Sequence, residues 1–129
     1  MHDSENNLDA AQLISWHDGV ILKIEICFDR KPSLRMVAAV YESDQSKHRE
    51  EVRLEFFEID DLVTSFSFFE LIDNLGAGNI NDGCIKSHKR RLRFFIYFFD
   101  GFMSFYFKKV EVSKNVKPDL IVASRTIEC

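Results

Sequence analysis

Leu92-Arg93-Phe94-Phe95-Ile96-Tyr97-Phe98-Phe99-Asp100-Gly101-Phe102-Met103-Ser104-Phe105-Tyr106-Phe107 is the stretch that decides how this chain folds. Leu92, Phe94, Ile96 and Phe98 occupy every second position, the period at which a pleated strand returns its side chains to one face. Asp100-Gly101 is the strongest short-range signal for a two-residue hairpin turn. Such a turn pairs Phe99 with Phe102, Phe98 with Met103, Ile96 with Phe105 and Phe94 with Phe107. Cross-strand aromatic pairs of this kind stabilise by roughly 0.2–1 kcal/mol each. The second arm is expected to run to about Val112.

The other face of the same hairpin is also apolar. It carries Phe95, Tyr97, Phe99, Phe102 and Tyr106, bordered by Arg91, Arg93 and Lys108. A strand apolar on both sides is normally covered on both sides. Either a helix or second sheet covers this face, or it is an exposed aromatic patch of the kind that marks a partner site.

Upstream, the same period-2 pattern recurs. Val20, Leu22, Ile24, Ile26 and Phe28 alternate with Ile21, Lys23, Glu25, Cys27 and Asp29, which predicts a strand with one buried face. The Pro-containing segment Asp29 to Ser33 reads as a turn. Leu34, Met36, Ala38 and Val40 then share one face of a second strand, with Tyr41 opposite. A charged loop, Ser43 to Arg49, leads to a third strand with Val52, Leu54 and Phe56 inward and Glu51, Arg53 and Glu55 outward. The spacing suits a meander.

Asp9 is placed to cap a short helix through about Ser15, and Trp16-His17-Asp18-Gly19 reads as a turn into the first strand. Between Asp60 and Gly76 two patterns compete. Phe68, Leu71, Ile72 and Leu75 fall at helical spacing, whereas Val63, Phe66 and the surrounding Thr and Ser suit a strand. The expectation is an irregular or extended start near Leu62, a short helix from Phe68 to Leu75, a turn at Gly76 to Asn79, and a short strand from Ile80 to Ile85. The fold class expected is therefore α+β: an antiparallel sheet of five to seven strands, a meander plus a C-terminal hairpin, with one or two short helices.

The 129 residues are expected to form one domain, residues 1–7 and 118–129 being less ordered. Hydrophobic residues make up 46%, with Phe 13 times, while Gly appears 5 times and Pro twice, so a packed core is expected and disorder is not. The start, Met1 to Asn7, has neither the basic residues nor the apolar run of a secretory signal. The longest apolar run, Phe94 to Phe99, is too short to cross a bilayer as a helix. A cytoplasmic location is expected, with no membrane partner. Cys27, Cys84 and Cys129 are widely spaced and form no CxxC pair, which suits reduced thiols.

Signals for chemistry are sparse. No HxH or HExxH spacing, GxSxG elbow or phosphate-loop lysine occurs, so no catalytic residue, metal or cofactor is assigned. Asp82-Gly83-Cys84 reads as a turn that could present a thiol. Charge is uneven beneath a formal net of −4: Glu42 to Asp73 carries ten acids against Lys47, Arg49 and Arg53, and Lys86 to Lys114 carries eight bases against Asp100 and Glu111. Neighbouring strands can neutralise one another, or the acids can form a polar docking surface. The acidic balance argues against nucleic-acid binding, although aromatics interleaved with bases also suit stacking on single strands.

Trp16-His17-Asp18-Gly19-Val20-Ile21-Leu22-Lys23-Ile24 resembles a motif of small bacterial immunity proteins of polymorphic-toxin and contact-dependent systems. There, a Trp/Phe-His-Asp turn after a short helix feeds the first strand of an antiparallel sheet. Val52-Arg53-Leu54-Glu55-Phe56, the turn Asn79-Ile80-Asn81-Asp82 and a closing hairpin extend the similarity over about residues 10 to 113. The chain departs from it in its Phe-rich hairpin and in Gly19. The resemblance implies a non-enzymatic protein that binds and blocks a cognate toxin, with Trp16, His17 and Asp18 in a structural role. Glu42, Asp44, Glu51, Glu55 and Glu58 are the acidic candidates for partner contact, suited to a basic nuclease, and Tyr97, Phe99 and Phe102 the aromatic ones. The competing expectation is an assembly module that dimerises through the aromatic face.

Overall fold

Alternation of apolar and polar residues produces two four-stranded antiparallel sheets packed face to face. The computed structural model describes residues 3–41, 47–66, 79–99 and 101–114. These form one helix, α1 (Asp3–Gln12), and eight strands: β1 (Ser15–Cys27), β2 (Ser33–Tyr41), β3 (Arg49–Phe57), β4 (Asp60–Phe66), β5 (Ile80–His88), β6 (Arg91–Phe98), β7 (Gly101–Phe107) and β8 (Lys109–Lys114). The first sheet has the order β1-β2-β3-β8 and the second β4-β7-β6-β5. The chain is thus richer in β-structure than the expected α+β sheet of five to seven strands.

A two-stranded ribbon joins the sheets. β3 continues into β4 through Glu58 and Ile59, and β7 into β8 through Lys108. The last rung in the first sheet is Phe57 opposite Lys109, and the next in the second is Asp60 opposite Tyr106. At the corner the Lys108 amide donates to the Phe57 carbonyl (3.0 Å), and Glu58 takes a positive φ of 55°. A local left-handed residue lets a strand change direction without losing its pairing partner.

The opposite side closes at β1 and β5. The Asn79 amide donates to the Gly19 carbonyl (3.0 Å), and the Ile21 amide to Asn79 Oδ1 (2.9 Å). Asn79 is 1% exposed, and these two bonds satisfy polar atoms that are costly to bury unpaired. The Trp16 indole lies against Gly83, where an added Cβ would stand 2.8 Å from two ring carbons. Glycine at this strand position is what allows the large ring to approach.

The core lies between the sheets. Leu34, Met36, Ala38, Val52, Leu54 and Phe56 face Ile80, Phe94, Ile96, Phe98, Met103, Phe105 and Phe107, all buried. Phe56 is its centre: its ring centroid lies 5.0 Å from Phe94, 4.9 Å from Phe105 and 5.0 Å from Phe107. The last two contacts are edge-to-face, the geometry aromatic quadrupoles favour.

Several expectations need correction. α1 begins at Asp3, not Asp9, and is tied down by Asn7, whose Oδ1 accepts the Val112 amide of β8 (2.8 Å). Residues 16–19 belong to β1 instead of a preceding turn, although Asp18 keeps a turn-like φ of 64°. Leu22 is an extra residue in the β1–β2 ladder: Ile21 pairs with Ala38 and Lys23 with Val37. One inserted residue reverses the facing of the residues after it. Ile24 and Ile26 pack on the core as expected, but Ile21 joins them there, while Leu22 is 51% exposed and Phe28 lies at the surface.

In the aromatic hairpin Tyr97 pairs with Phe102, Ile96 with Met103 and Phe94 with Phe105. This is two residues away from the register that Asp100-Gly101 suggested. Phe98 faces Gly101, whose φ of 138° suits glycine. A slip of two preserves which side chains share a face, so the expected inner and outer sets survive. Asp82-Gly83-Cys84 lies within β5, not in a turn. The helix expected over 68–75, the glycine turn at 76–78 and the segment 118–129 lie outside the described residues. Among the described residues no helix is long and apolar enough to cross a membrane.

Candidate functional site

The outer face of the second sheet is built in rows across its strands. Lys86, Arg93, Tyr106 and Asp60 form one row; Cys84, Phe95, Ser104 and Val63 the next; Asp82, Tyr97, Phe102 and Ser65 the third. Tyr97 is 41% exposed, Phe99 at the hairpin tip is 57% exposed, and Phe95 and Phe102 are half-buried. The Phe95 and Tyr97 rings lie parallel, with centroids 6.4 Å apart. The result is an aromatic platform carried on rigid strands.

Arg93 anchors it. Although it is only 8% exposed, its Nε donates to Ser104 Oγ, Nη1 to Asp61 Oδ2 (3.1 Å) and Nη2 to the Asp61 carbonyl (3.2 Å). A buried guanidinium is tolerated when its donors are satisfied in this way. Its Cζ lies 4.4 Å from the Tyr106 ring centroid, and Arg91 Cζ lies 4.0 Å from the same ring. The Tyr106 hydroxyl shares a 2.7 Å hydrogen bond with His88 Nδ1. Arg91 Nη2 donates to Asp60 Oδ2 (3.1 Å), and this bond, with a second from the Asp61 amide, holds the Asp60 carboxyl below its ordinary range. Two consecutive aspartates of β4 thus latch two arginines of β6 across β7. The sequence shows the arginines beside the aromatics but gives no local sign of aspartates some 30 positions earlier.

The acidic candidates occupy a different environment. Glu51 and Glu55 lie on the outer face of the first sheet, in an open groove of about 810 Å³ lined also by Lys23, Glu25, Arg35 and Arg53. Arg35 Nε donates to Glu55 Oε2 (3.2 Å), and this hydrogen bond raises the arginine above its ordinary value. Glu51 lies 3.8 Å from Arg53 Nε, and Lys23 pairs with Glu25 (3.7 Å). Glu58, at the corner, meets Lys108 (3.4 Å) and Lys31 (4.0 Å). Glu51 and Glu55 are thus matched by bases on the same or the adjacent strand, and Glu58 by lysines of two neighbouring connections. Glu42 and Asp44 lie outside the described residues.

Trp16, His17 and Asp18 hold the β1–β5 seam. Trp16 is buried, its ring 5.6 Å from that of Phe94. His17 Nδ1 lies 3.1 Å from the Asn81 carbonyl and Nε2 3.4 Å from Asp18 Oδ2. The main-chain oxygen of Asp18 accepts from Arg49 Nε (3.1 Å), and Arg49 stacks on Tyr41. Among the described residues no three His, Cys, Asp or Glu side chains gather as a metal site. The aromatic candidates Tyr97 and Phe102 are brought together as direct cross-strand partners, and Tyr97 pairs with Asp82 of β5, whose neighbours Asn81 and Gly83 meet His17 and Trp16. Comparison with protein-family models, curated proteins and solved structures finds no match to this chain.

Proposed function

We propose that this chain is a non-enzymatic binding protein of the immunity type, which neutralises a cognate bacterial toxin by direct contact. The observation that carries the reading is the outer face of the second sheet, where Tyr97, Phe99 and Phe102 stand at the surface of a rigid β-scaffold. Aromatic residues held by strands offer large contact area with little side-chain entropy to lose, and interface energy concentrates in such anchors. The Trp16-His17-Asp18 resemblance supplies the partner class. Blocking is steric: a toxin whose active-site rim packs on the platform is closed to its substrate.

The paired glutamates of the first sheet are assigned no role in affinity. Carboxylates already neutralised by neighbouring bases project little field toward an approaching protein.

The test is co-purification with the product of the neighbouring gene, expressed as the proposed toxin. A stable complex that protects cells from the toxin, lost in Tyr97→Glu with the fold intact, is expected. Failure to bind or protect removes the immunity reading. A mass that doubles with concentration and reverts in Tyr97→Glu assigns the face to self-association.

A further inference from the structure

We infer that the partner surface received by this aromatic face is acidic at the end that meets the β5–β6 turn. The inference rests on the reading of the platform as the docking face and names the charge of the surface that docks there. It runs opposite in sign to the basic partner that the distribution of glutamates suggested.

Lys86, Lys89 and Arg90 form the basic end of the platform, and all three are exposed. Lys89 and Arg90 make the two-residue turn closed by the His88–Arg91 pair, both at positive φ (53° and 66°). A turn of this type follows the twist of the strands and carries its side chains beyond the end of the sheet. Lys86 stands one row in, its ammonium 5.7 Å from the Phe95 centroid. Among the described residues no carboxylate pairs with these three, whereas Arg91 and Arg93 are matched by Asp60 and Asp61. Among the described residues the face therefore offers three positive charges that no carboxylate pairs with at one end and aromatic surface at the other.

That distribution favours a protein over a nucleic-acid strand. A phosphate backbone distributes charge along its whole length. Laid across Tyr97 and Phe102, it would meet Asp82 directly beside Tyr97, with Asp60 and Asp61 along the β4 side. A protein needs its carboxylates only where the bases are and can place apolar side chains over the rings. Such a polar rim beside an apolar centre is the ordinary anatomy of a protein interface.

The test uses three probes on the isotope-labelled full chain, followed by amide chemical shifts: a short peptide of glutamate and tryptophan, its lysine and tryptophan counterpart, and an oligothymidine. The glutamate peptide is expected to shift Phe95, Tyr97 and Phe102. Reversing the surface charges in Lys86→Glu/Lys89→Glu/Arg90→Glu should weaken it about tenfold, three screened rim charges together. Equal or tighter binding of the lysine peptide there overturns the inference, as does tighter binding of oligothymidine, or no shift with any probe. The toxin reading is decided separately: selective glutamate-peptide binding without a complex with the adjacent gene product leaves the charge assignment standing and removes the toxin. A complex with that product that is unchanged by the triple reversal does the converse.

Discussion

The two sheets turn similar inner faces to one core and opposite kinds of outer face to solvent. Across the first sheet, Glu25, Arg35, Glu55 and Glu111 lie in one row, and Lys23, Val37, Arg53 and Ser113 in the next. This is mostly the pattern of a solvated sheet: bases pair with the acids, and the apolar side chains left among them, Leu22 and Val37, carry no aromatic ring. Across the second, the rows hold Phe95, Tyr97 and Phe102, with an arginine buried beneath. Folding alone would be served as well by a polar outer face here as on the first sheet. Under the proposed function, the difference between the faces separates the needs of the scaffold from the surface used for recognition.

The comparison is most severely tested where the sheets meet. Phe56→Ala is expected to cost about 3–5 kcal/mol, because the ring touches Phe94, Phe105 and Phe107 of the other sheet. Urea unfolding should lose both sheets in one transition; separate transitions would show that the faces belong to independent units. Tyr97→Ala is expected to weaken partner binding by at least about 2 kcal/mol. Calorimetry of the complex checks this, and the unfolding midpoint should scarcely move. Gly83→Ala drives a methyl into the Trp16 ring and is expected to destabilise by about 1–3 kcal/mol, read from the same unfolding curve.

Smaller effects distinguish the charges. Asp60 has a depressed folded-state pKa, so the stability it contributes is present above its ordinary value of 3.8 and is lost as pH falls through the folded value. Asp60→Asn should flatten the acid side of the stability profile below the ordinary carboxyl value of 3.8 and leave its slope near neutral pH unchanged. Glu55→Gln breaks a half-exposed ion pair and should shift stability by no more than about 1 kcal/mol. Its partner affinity should equal that of the unmodified chain.

How far the fold and the site were legible in the sequence depended on whether the alternation ran uninterrupted. β2 and β3 pair without a shift, and Leu34, Met36, Val52, Leu54 and Phe56 are buried as their spacing demands. β1 contains an extra residue at Leu22, which nothing in the apolar run signals, so Ile21 turned inward and Leu22 outward against expectation while Ile24 and Ile26 kept the expected face. The hairpin's turn chemistry misplaced its register by two, an even slip that left the outward aromatics readable. The Arg93–Asp61 anchor was hidden because it depends on the corner between β3 and β4, a product of tertiary packing. The pairing of the glutamates was one of two alternatives that the charge distribution left open.

Hydrogen–deuterium exchange of the complex with the proposed toxin partner tests the central claim most directly. Protection confined to residues 91–107, with residues 33–57 exchanging as in the free protein, is the predicted footprint. Protection over residues 33–57 with residues 91–107 unaffected would place the partner on the charged sheet and contradict it.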